Sequence, residues 1–291
     1  MISNLVKIKK VFSVFNLLML LVICSCSTSP KSTGDVYNLR AYAEKGLEAA
    51  NKETVRGNYK NAHSLLIEYK RMAILSDDLS LITRVCLSMG NVLYSLGEIE
   101  EAFGEWDKAA LEAQKSNNSE LLSASKIFRA KGSLLSGRTG AQAVLDEVNR
   151  ESVNIKKDAL LVSFSWQVKG LALRALGSYA EAENALKQSL AIHEKKKTLE
   201  NASYDWYTIA SIRSLAGNTS GALEALDAAI VLDRRIENSW GLAASYRAMG
   251  DVYRKAGREK EALEAYARAR GIYTALRNDD EIMEIEKKMR N

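Results

Sequence analysis

One glycine recurs at a fixed interval of forty residues along this 291-residue chain. Five residues after it, five of the six copies carry an alanine, and nine residues after it, five copies carry a large apolar residue. The glycines are Gly57, Gly97, Gly137, Gly177, Gly217 and Gly257. Because repetition at one fixed period is typical of stacked structural units, the sequence predicts an array of six similar units.

The residues around each glycine predict a helical hairpin. Seven residues before the glycine the side chain is always small, as at Ala50 and Gly250, so two helices can approach closely. Twenty-one residues after it stand residue types that cap helix N-termini: Asp78, Asn118, Asp158, Thr198, Asn238 and Asn278. One hairpin cannot bury its apolar face alone, so we expect the hairpins to stack into one elongated all-α domain.

Composition agrees with helix and argues against nucleic acid as a partner. The chain is 47% hydrophobic and contains one proline, which favours helical structure. Its formal charge is +5, but Lys7, Lys9 and Lys10 supply three of these charges near the N-terminus. The nearly balanced remainder gives no general attraction to phosphate backbones.

The first 25 residues have the anatomy of a signal peptide: a basic start, an apolar run from Val11 to Ile23, and small residues at its end. That run is too short to cross a bilayer. The stretch Ile23-Cys24-Ser25-Cys26 resembles a bacterial lipobox, in which a small residue precedes the lipidated cysteine; Ser25 fits this for Cys26. The resemblance implies a signal peptide at 1–25 and a lipidated tether at 26–34. An ordinary cleaved signal with incidental cysteines stays open.

The residue after Cys26 bears on localisation, because an aspartate there retains some bacterial lipoproteins in the inner membrane. Ser27 replaces it here, so the resemblance implies the outer membrane, facing the periplasm. Processing would leave only Cys86 as a free thiol, which excludes a disulfide framework. We expect Cys86 to be a small core residue.

The repeat resembles the tetratricopeptide-repeat family. In segment 243–276 the matching positions are Tyr246, Gly250, Tyr253, Gly257, Ala262, Tyr266 and Ala269, and in segment 163–196 they are Trp166, Gly170, Gly177, Ala182 and Leu186. The resemblance implies a right-handed α-solenoid of about six hairpins, occupying 35–291, whose concave face binds peptides or proteins. A short helix at 279–290 is expected to cap the last hairpin.

The repeat departs from the family pattern in two respects. Its period is forty residues rather than thirty-four, which predicts longer helices, and no copy carries the proline that ends many family repeats. The third copy has Gln142 and Asp146 where the other copies have alanine and large apolar residues. A local register shift or kink is therefore predicted near residues 138–152.

The family resemblance places the binding groove on one face of each first helix, and four positions per copy fall on that face. They predict a groove that is apolar and aromatic in the middle, with arginines toward its C-terminal end. The candidate partner-binding residues are Arg84, Leu87, Asn91 and Tyr94, then Ile127, then Phe164, Gln167 and Arg174, then Tyr204 and Tyr207, and finally Arg247, Asp251 and Arg254. The third copy also has Ala124, Lys131 and Leu134 on this face.

This pattern suits an amphipathic, acidic peptide or protein partner, with apolar anchors in the middle and carboxylates against the arginines. The alternative for each arginine is an ordinary ion pair with a helix glutamate. Asn51 and Asn91 fall at the asparagine position of the family's carboxylate clamp, but Leu47 and Leu87 stand where the clamp has a basic residue. That activity is not carried over.

Catalytic and metal-binding patterns are not evident in the sequence. The two histidines, His63 and His193, have no ligand or nucleophile partner at a useful spacing, so we predict no enzyme activity, no metal and no cofactor. The first function hypothesis is a membrane-anchored interaction scaffold of the bacterial envelope. The alternative is a small-ligand-binding or solute-transport accessory lipoprotein that uses the hydrophobic groove.

Overall fold

A computed structural model describes residues 38–290, and these form thirteen α-helices joined by short turns. The signal peptide, Cys26 and the tether lie outside the described residues. In chain order the helices are α1 Leu39–Val55, α2 Tyr59–Leu75, α3 Leu79–Ser95, α4 Ile99–Lys115, α5 Ser119–Leu135, α6 Ala141–Ser152, α7 Ala159–Ala175, α8 Tyr179–Lys196, α9 Leu199–Leu215, α10 Thr219–Arg235, α11 Ser239–Lys255, α12 Glu259–Ala275 and α13 Asp279–Arg290.

The forty-residue period has a simple structural origin. Most of the helices contain 17 residues, as α11 and α12 do, and most are separated from the next by a turn of three residues. Two helices and two turns therefore make one period. Helices α1 to α12 form hairpins one to six in consecutive pairs, and α13 packs against α12 as the predicted capping helix. This confirms the predicted all-α array of helical hairpins.

Both kinds of turn are closed by a residue in the left-handed conformation. All six repeating glycines have φ between 71° and 84°, a backbone conformation that glycine adopts with little strain because it has no Cβ. Twenty residues later, in the turn between hairpins, a non-glycine residue takes the same conformation: Asp77, Asn117, Lys197, Glu237 and Arg277, with φ of 52–57°. This second left-handed position was not predicted, because those side chains share no chemistry.

Five of the six predicted capping residues cap the helix that follows them. For example, Asp78 Oδ1 accepts the Leu81 N–H at 2.9 Å, and Asn238 Oδ1 accepts the Gly241 N–H at 3.1 Å. Thr198 is the exception, because its hydroxyl instead lies 2.8 Å from Nδ1 of His193.

In hairpins two, four and six, a glycine of the first helix faces a large side chain of the second. The residue seven before the glycine lies against the residue nine after it, so a Cβ added at Gly170 would stand 2.9 Å from Cγ of Leu186. A Cβ added at Gly250 would stand 2.5 Å from Cε1 of Tyr266, and one at Gly90 would overlap Trp106. The backbones therefore approach until the large side chain of α4, α8 or α12 rests directly on the partner helix.

The third hairpin carries the predicted register shift. Helix α6 has 12 residues and starts at Ala141, after a turn lengthened by two residues. Its buried side chains, Val144 and Val148, stand two positions later than Ala62 and Leu66 do in the first hairpin. The irregular segment before α7 restores the forty-residue register, so that α7 starts at its expected position, Ala159. Glu120 Oε1 accepts hydrogen bonds from three consecutive N–H groups of this segment, those of residues 156, 157 and 158, at 2.7–3.0 Å.

The array curves until its ends meet. The indole of Trp240, at the start of α11, packs against the first glycine turn: a Cβ added at Gly57 would stand 2.8 Å from its Cδ2. The same ring lies edge-on to Tyr59, with centroids 6.4 Å apart, and to Tyr273, at 5.4 Å. Hairpins one and six are therefore in contact, which closes the curve.

We expect Gly250→Ala to destabilise the protein by about 1–3 kcal/mol, because the added methyl overlaps the buried Tyr266 ring. The control is Gly271→Ala in α12, where nothing lies within 4 Å of the added carbon. That substitution should instead stabilise by up to about 1 kcal/mol through helix propensity. Chemical denaturation measures both; equal effects at the two positions would contradict the close-packing account.

Candidate functional site

The first helices of successive hairpins form the inner, concave side of the curve. As well as packing on their hairpin partners, first helices contact one another: α1 with α3, α3 with α5, α5 with α7, and α9 with α11. Gln167 of α7 also reaches Asp205 of α9. Elements on the inside of a curved stack approach one another more closely than those outside. The second helices, including α2 and α10, therefore lie on the outer side.

Three of the predicted groove residues are already buried within the described array, although no binding partner is bound to it. Leu87 and Ile127 belong to the apolar core, and Gln167 lies beneath the surface with its amide donating to Oδ1 of Asp205 at 2.7 Å. The prediction that they face an open groove is wrong. Neighbouring first helices lie close enough to cover these positions. The sequence of one helix does not show how close the next one lies.

Three arginines among the predicted groove residues are paired within the chain. Arg84 contacts Asp158 at 2.9 Å, and Arg247 pairs with Glu281 of the capping helix. Arg254 contacts Glu259 at 2.8 Å. The expectation of free guanidinium groups at these three positions is wrong, and the alternative of ordinary ion pairs describes them.

Asp251 and Arg174 are also occupied by contacts within the chain. The Asp251 carboxylate accepts from the Tyr266 hydroxyl at 2.6 Å and from Nζ of Lys288 at 2.8 Å. Arg174 makes a weaker contact, donating to the Ser211 hydroxyl at 3.2 Å. Helix α13 therefore covers the C-terminal end of the predicted groove as well as the core.

The aromatic middle of the predicted groove does come together, around a lysine. The rings of Phe128 and Phe164 stack with centroids 3.9 Å apart. Nζ of Lys131 lies 5.4 Å from the centroid of Phe164 and 5.9 Å from that of Tyr204, two hairpins further along the chain. We call Phe128, Lys131, Phe164 and Tyr204 the lysine–aromatic cluster.

The cluster is a cation-bearing, partly exposed surface. Within residues 38–290 no carboxylate lies within 4.0 Å of the Lys131 ammonium, whereas many other basic side chains are paired. Tyr204 remains 40% exposed. Aromatic faces hold an ammonium in place while leaving its N–H donors free for an acceptor. This arrangement can bind an anionic group beside an apolar one.

The remaining predicted positions, Asn91 and Tyr94 on α3 and Tyr207 on α9, are half-buried. Tyr94 packs on Trp106, with ring centroids 6.0 Å apart, and Asn91 stays half-buried beside it. Tyr207 is half-buried next to Arg247. An open cavity of about 520 Å³ lies near the N-terminal ends of α5, α7 and α9, and six of the eight residues that line it are charged or polar, Arg84, Glu120 and Lys196 among them.

A buried polar group between hairpins four and five was not predicted. Asp205 is 0% exposed, and its Oδ2 lies 3.8 Å from Nε2 of His193, which is also buried. Burial raises the pKa of Asp205 to about 7 and lowers the pKa of His193 to about 4. Residues 193 and 205 occupy the position of Ala113 and Ser125 two hairpins earlier, and that repeat comparison was the available signal.

Cys86 is a core residue, as predicted. It is buried, and burial raises the pKa of its thiol to about 12, so it is not a reactive thiolate at neutral pH. In the described part of the chain no three His, Cys, Asp or Glu side chains group as metal ligands. No helix there combines the length and apolar character that a membrane span requires.

The family comparison identifies the repeats. Residues 169–196 and residues 201–275 each match a family model described as tetratricopeptide repeat. These segments are tetratricopeptide repeats, and the described array has the tetratricopeptide-like solenoid fold. The matched models describe repeats rather than a catalytic domain. No curated protein matches the chain.

Solved structures show the same fold at low sequence identity. BtubC (BKLC) from P. vanneervenii matches with a TM-score of 0.56 and 14% identity, over 81% of this chain and 92% of that one. A Rap protein, solved with competence and sporulation factor, matches with 0.59 and 13%, over 84% and 72%. PlcR of Bacillus thuringiensis, solved with the peptide PapR7 and DNA, matches with 0.58 and 14%, over 72% and 74%.

We expect Asp205→Asn to gain stability relative to the unchanged chain as pH rises from 5 to 8. An unfolded aspartate ionises near pH 4, whereas Asp205 in the folded protein keeps its proton to about pH 7. The folded state therefore binds more protons in this window, and the unchanged protein loses stability as pH rises through it.

Thermal unfolding of both proteins at pH 5, 6, 7 and 8 checks this. The gap in melting temperature should widen toward pH 8 by several degrees, since one pKa unit is about 1.4 kcal/mol. The lowered pKa of His193 makes stability rise with pH, at lower pH. Because both proteins contain His193, the difference between their melting temperatures reports on Asp205. A gap that stays constant over the four pH values would rule out a buried, proton-retaining carboxyl group.

Proposed function

We propose that this protein is a membrane-anchored interaction scaffold of the bacterial envelope, which binds a peptide or protein segment on its concave side at the lysine–aromatic cluster. The observation that carries the proposal is Lys131, an unpaired ammonium held at 5.4 Å and 5.9 Å from two aromatic rings on that side. A carboxylate of the partner would pair with Lys131, while an apolar side chain would pack against Tyr204.

The structural neighbours support a peptide or protein as the partner. The Rap protein and PlcR were both solved with a bound peptide or factor, and both share this fold over most of their length. The candidate site differs from the one predicted from sequence. Its centre is Phe164, Lys131 and Tyr204. The arginines at the C-terminal end of the predicted groove, Arg247 and Arg254, pair with the chain itself.

The alternative of a solute-binding protein finds less support. That hypothesis needs an apolar chamber, but Leu87 and Ile127 are buried in the core. The cavity of about 520 Å³ beside Arg84 is wide open to solvent, so it would enclose little of a bound solute. We therefore favour the scaffold.

A photo-crosslinking amino acid at Tyr204, introduced in cells, tests the binding site. We expect it to capture a discrete partner, and we expect Lys131→Glu to reduce capture at least tenfold because the charge that attracts the partner is reversed. The control is Lys169→Glu, which makes the same change at a lysine that also lies over a ring, that of Trp166 at 5.2 Å. The crosslinker at Val231, 61% exposed on the outer helix α10, controls for location.

Two outcomes would contradict the proposed site. One is capture at Val231 as strong as at Tyr204, which would place the partner on the outer side or indicate unspecific contact. The other is an equal response of Lys131→Glu and Lys169→Glu, which would show that the concave lysine has no special role.

Membrane anchoring requires lipid on Cys26, and metabolic labelling with a fatty-acid analogue checks it. The unchanged protein should incorporate the label and sediment with membranes. Cys26→Ala should lose the label entirely, whereas Cys24→Ala should retain it, because Ile23 is too large for the position before a lipidated cysteine. Label that survives Cys26→Ala would contradict the assignment, and outer-membrane fractionation of the labelled protein tests the proposed periplasmic location.

A further inference from the structure

The outer side of hairpins five and six carries a pair of arginines with an unusual arrangement. Arg234, near the end of α10, donates from Nη2 to the Tyr246 hydroxyl at 2.5 Å. Arg268, on α12, donates from Nη1 to the same oxygen at 3.5 Å. The two nitrogen atoms therefore lie at most 6.0 Å apart, on neighbouring second helices.

The pair is held by a rigid anchor. Tyr246 belongs to α11 and is only 6% exposed, so the core fixes its ring and hydroxyl. The guanidinium carbon of Arg268 also lies 5.5 Å from the Tyr246 ring centroid. Both guanidinium groups are thus positioned before any ligand arrives, which reduces the ordering cost of binding.

Neither arginine has an acidic partner. Over residues 38–290, no carboxylate oxygen lies within 4.0 Å of the Arg234 or Arg268 nitrogens, and both side chains are exposed. Two permanent positive charges near each other repel, and an anion placed between them relieves that repulsion. This distinguishes the pair from Arg247 and Arg254, whose charges the chain itself neutralises.

We propose that Arg234, Arg268 and Tyr246 form a phosphate-binding site on the outer side of the array, separate from the concave binding site. Hydrogen bonds of about 2.8 Å from each guanidinium reach oxygens of one phosphate group across a nitrogen separation of this size. A phosphate monoester carries nearly two negative charges, which match two guanidinium groups better than one carboxylate does. The Tyr246 hydroxyl accepts both arginine bonds and keeps its own O–H to donate to the anion.

The first test compares thermal unfolding of the full chain in sodium phosphate and in sodium chloride at equal ionic strength. Phosphate should raise the melting temperature of the unchanged protein through binding to the folded state. The double variant Arg234→Gln/Arg268→Gln should lose that rise. The control Arg235→Gln/Arg270→Gln removes the same charge from exposed arginines on the same two helices and should keep it.

Tyr246→Phe gives an independent check on the geometry, because it keeps the ring and removes only the anchoring hydroxyl. It should reduce the phosphate-dependent rise by at least half while melting normally in chloride. A rise of equal size in both double variants, or no rise in the unchanged protein, would overturn the proposal.

Vesicles identify the source of the phosphate group. Protein carrying Cys26→Ala, which lacks the proposed N-terminal lipid, is mixed with vesicles of phosphatidylcholine alone or with added phosphatidic acid, and the bound fraction is measured by sedimentation. Binding that needs phosphatidic acid and is lost in Arg234→Gln/Arg268→Gln assigns a lipid headgroup. A phosphate-dependent rise without such vesicle binding assigns a soluble phosphate, and vesicle binding unchanged in the double variant would contradict the site.

Discussion

The close approach of two helices at a small residue is the contact on which the rest of the structure depends. Where Gly90, Gly170 or Gly250 faces Trp106, Leu186 or Tyr266, no atom lies between the large side chain and the backbone of the other helix. Helices packed this tightly have one stable register, so each hairpin has nearly the same shape. Because the periods outside the third hairpin contain two helices of nearly equal length and two short turns, successive hairpins rotate by a similar step.

The repeated step bends the array until Trp240 reaches the first glycine turn. This closure sets the properties of the concave side. It brings side chains two hairpins apart into contact, as Lys131 and Tyr204 show at 5.9 Å and Arg84 and Asp158 at 2.9 Å. The inner surface is therefore narrow, and several of its charged side chains form ion pairs within the chain. The Lys131 ammonium is accessible and has no carboxylate partner among the described residues.

The repeating elements of the fold could be predicted because they depend on residues near one another in the sequence. The glycine turns, the caps at Asp78 and Asn238, and the register shift at Gln142 each follow from local chemistry or from comparing copies. The candidate site was harder, because a helical face fixes a direction but not the distance to the next hairpin. Packing between helices buries Ile127, pairs Arg247 with Glu281 and raises the pKa of Asp205, and the face of one helix does not show that packing.

The most direct measurement of this account is the distance between hairpins one and six in solution. Spin labels at Lys60 and Ser239, exposed neighbours of Tyr59 and Trp240, report it by pulsed electron resonance. The closed curve predicts a single short distance, which should lengthen when Trp240 is replaced by Ala and not when Trp166 is. A broad distribution of long distances in the unchanged protein would show an open array and contradict both the closure and the narrow concave site.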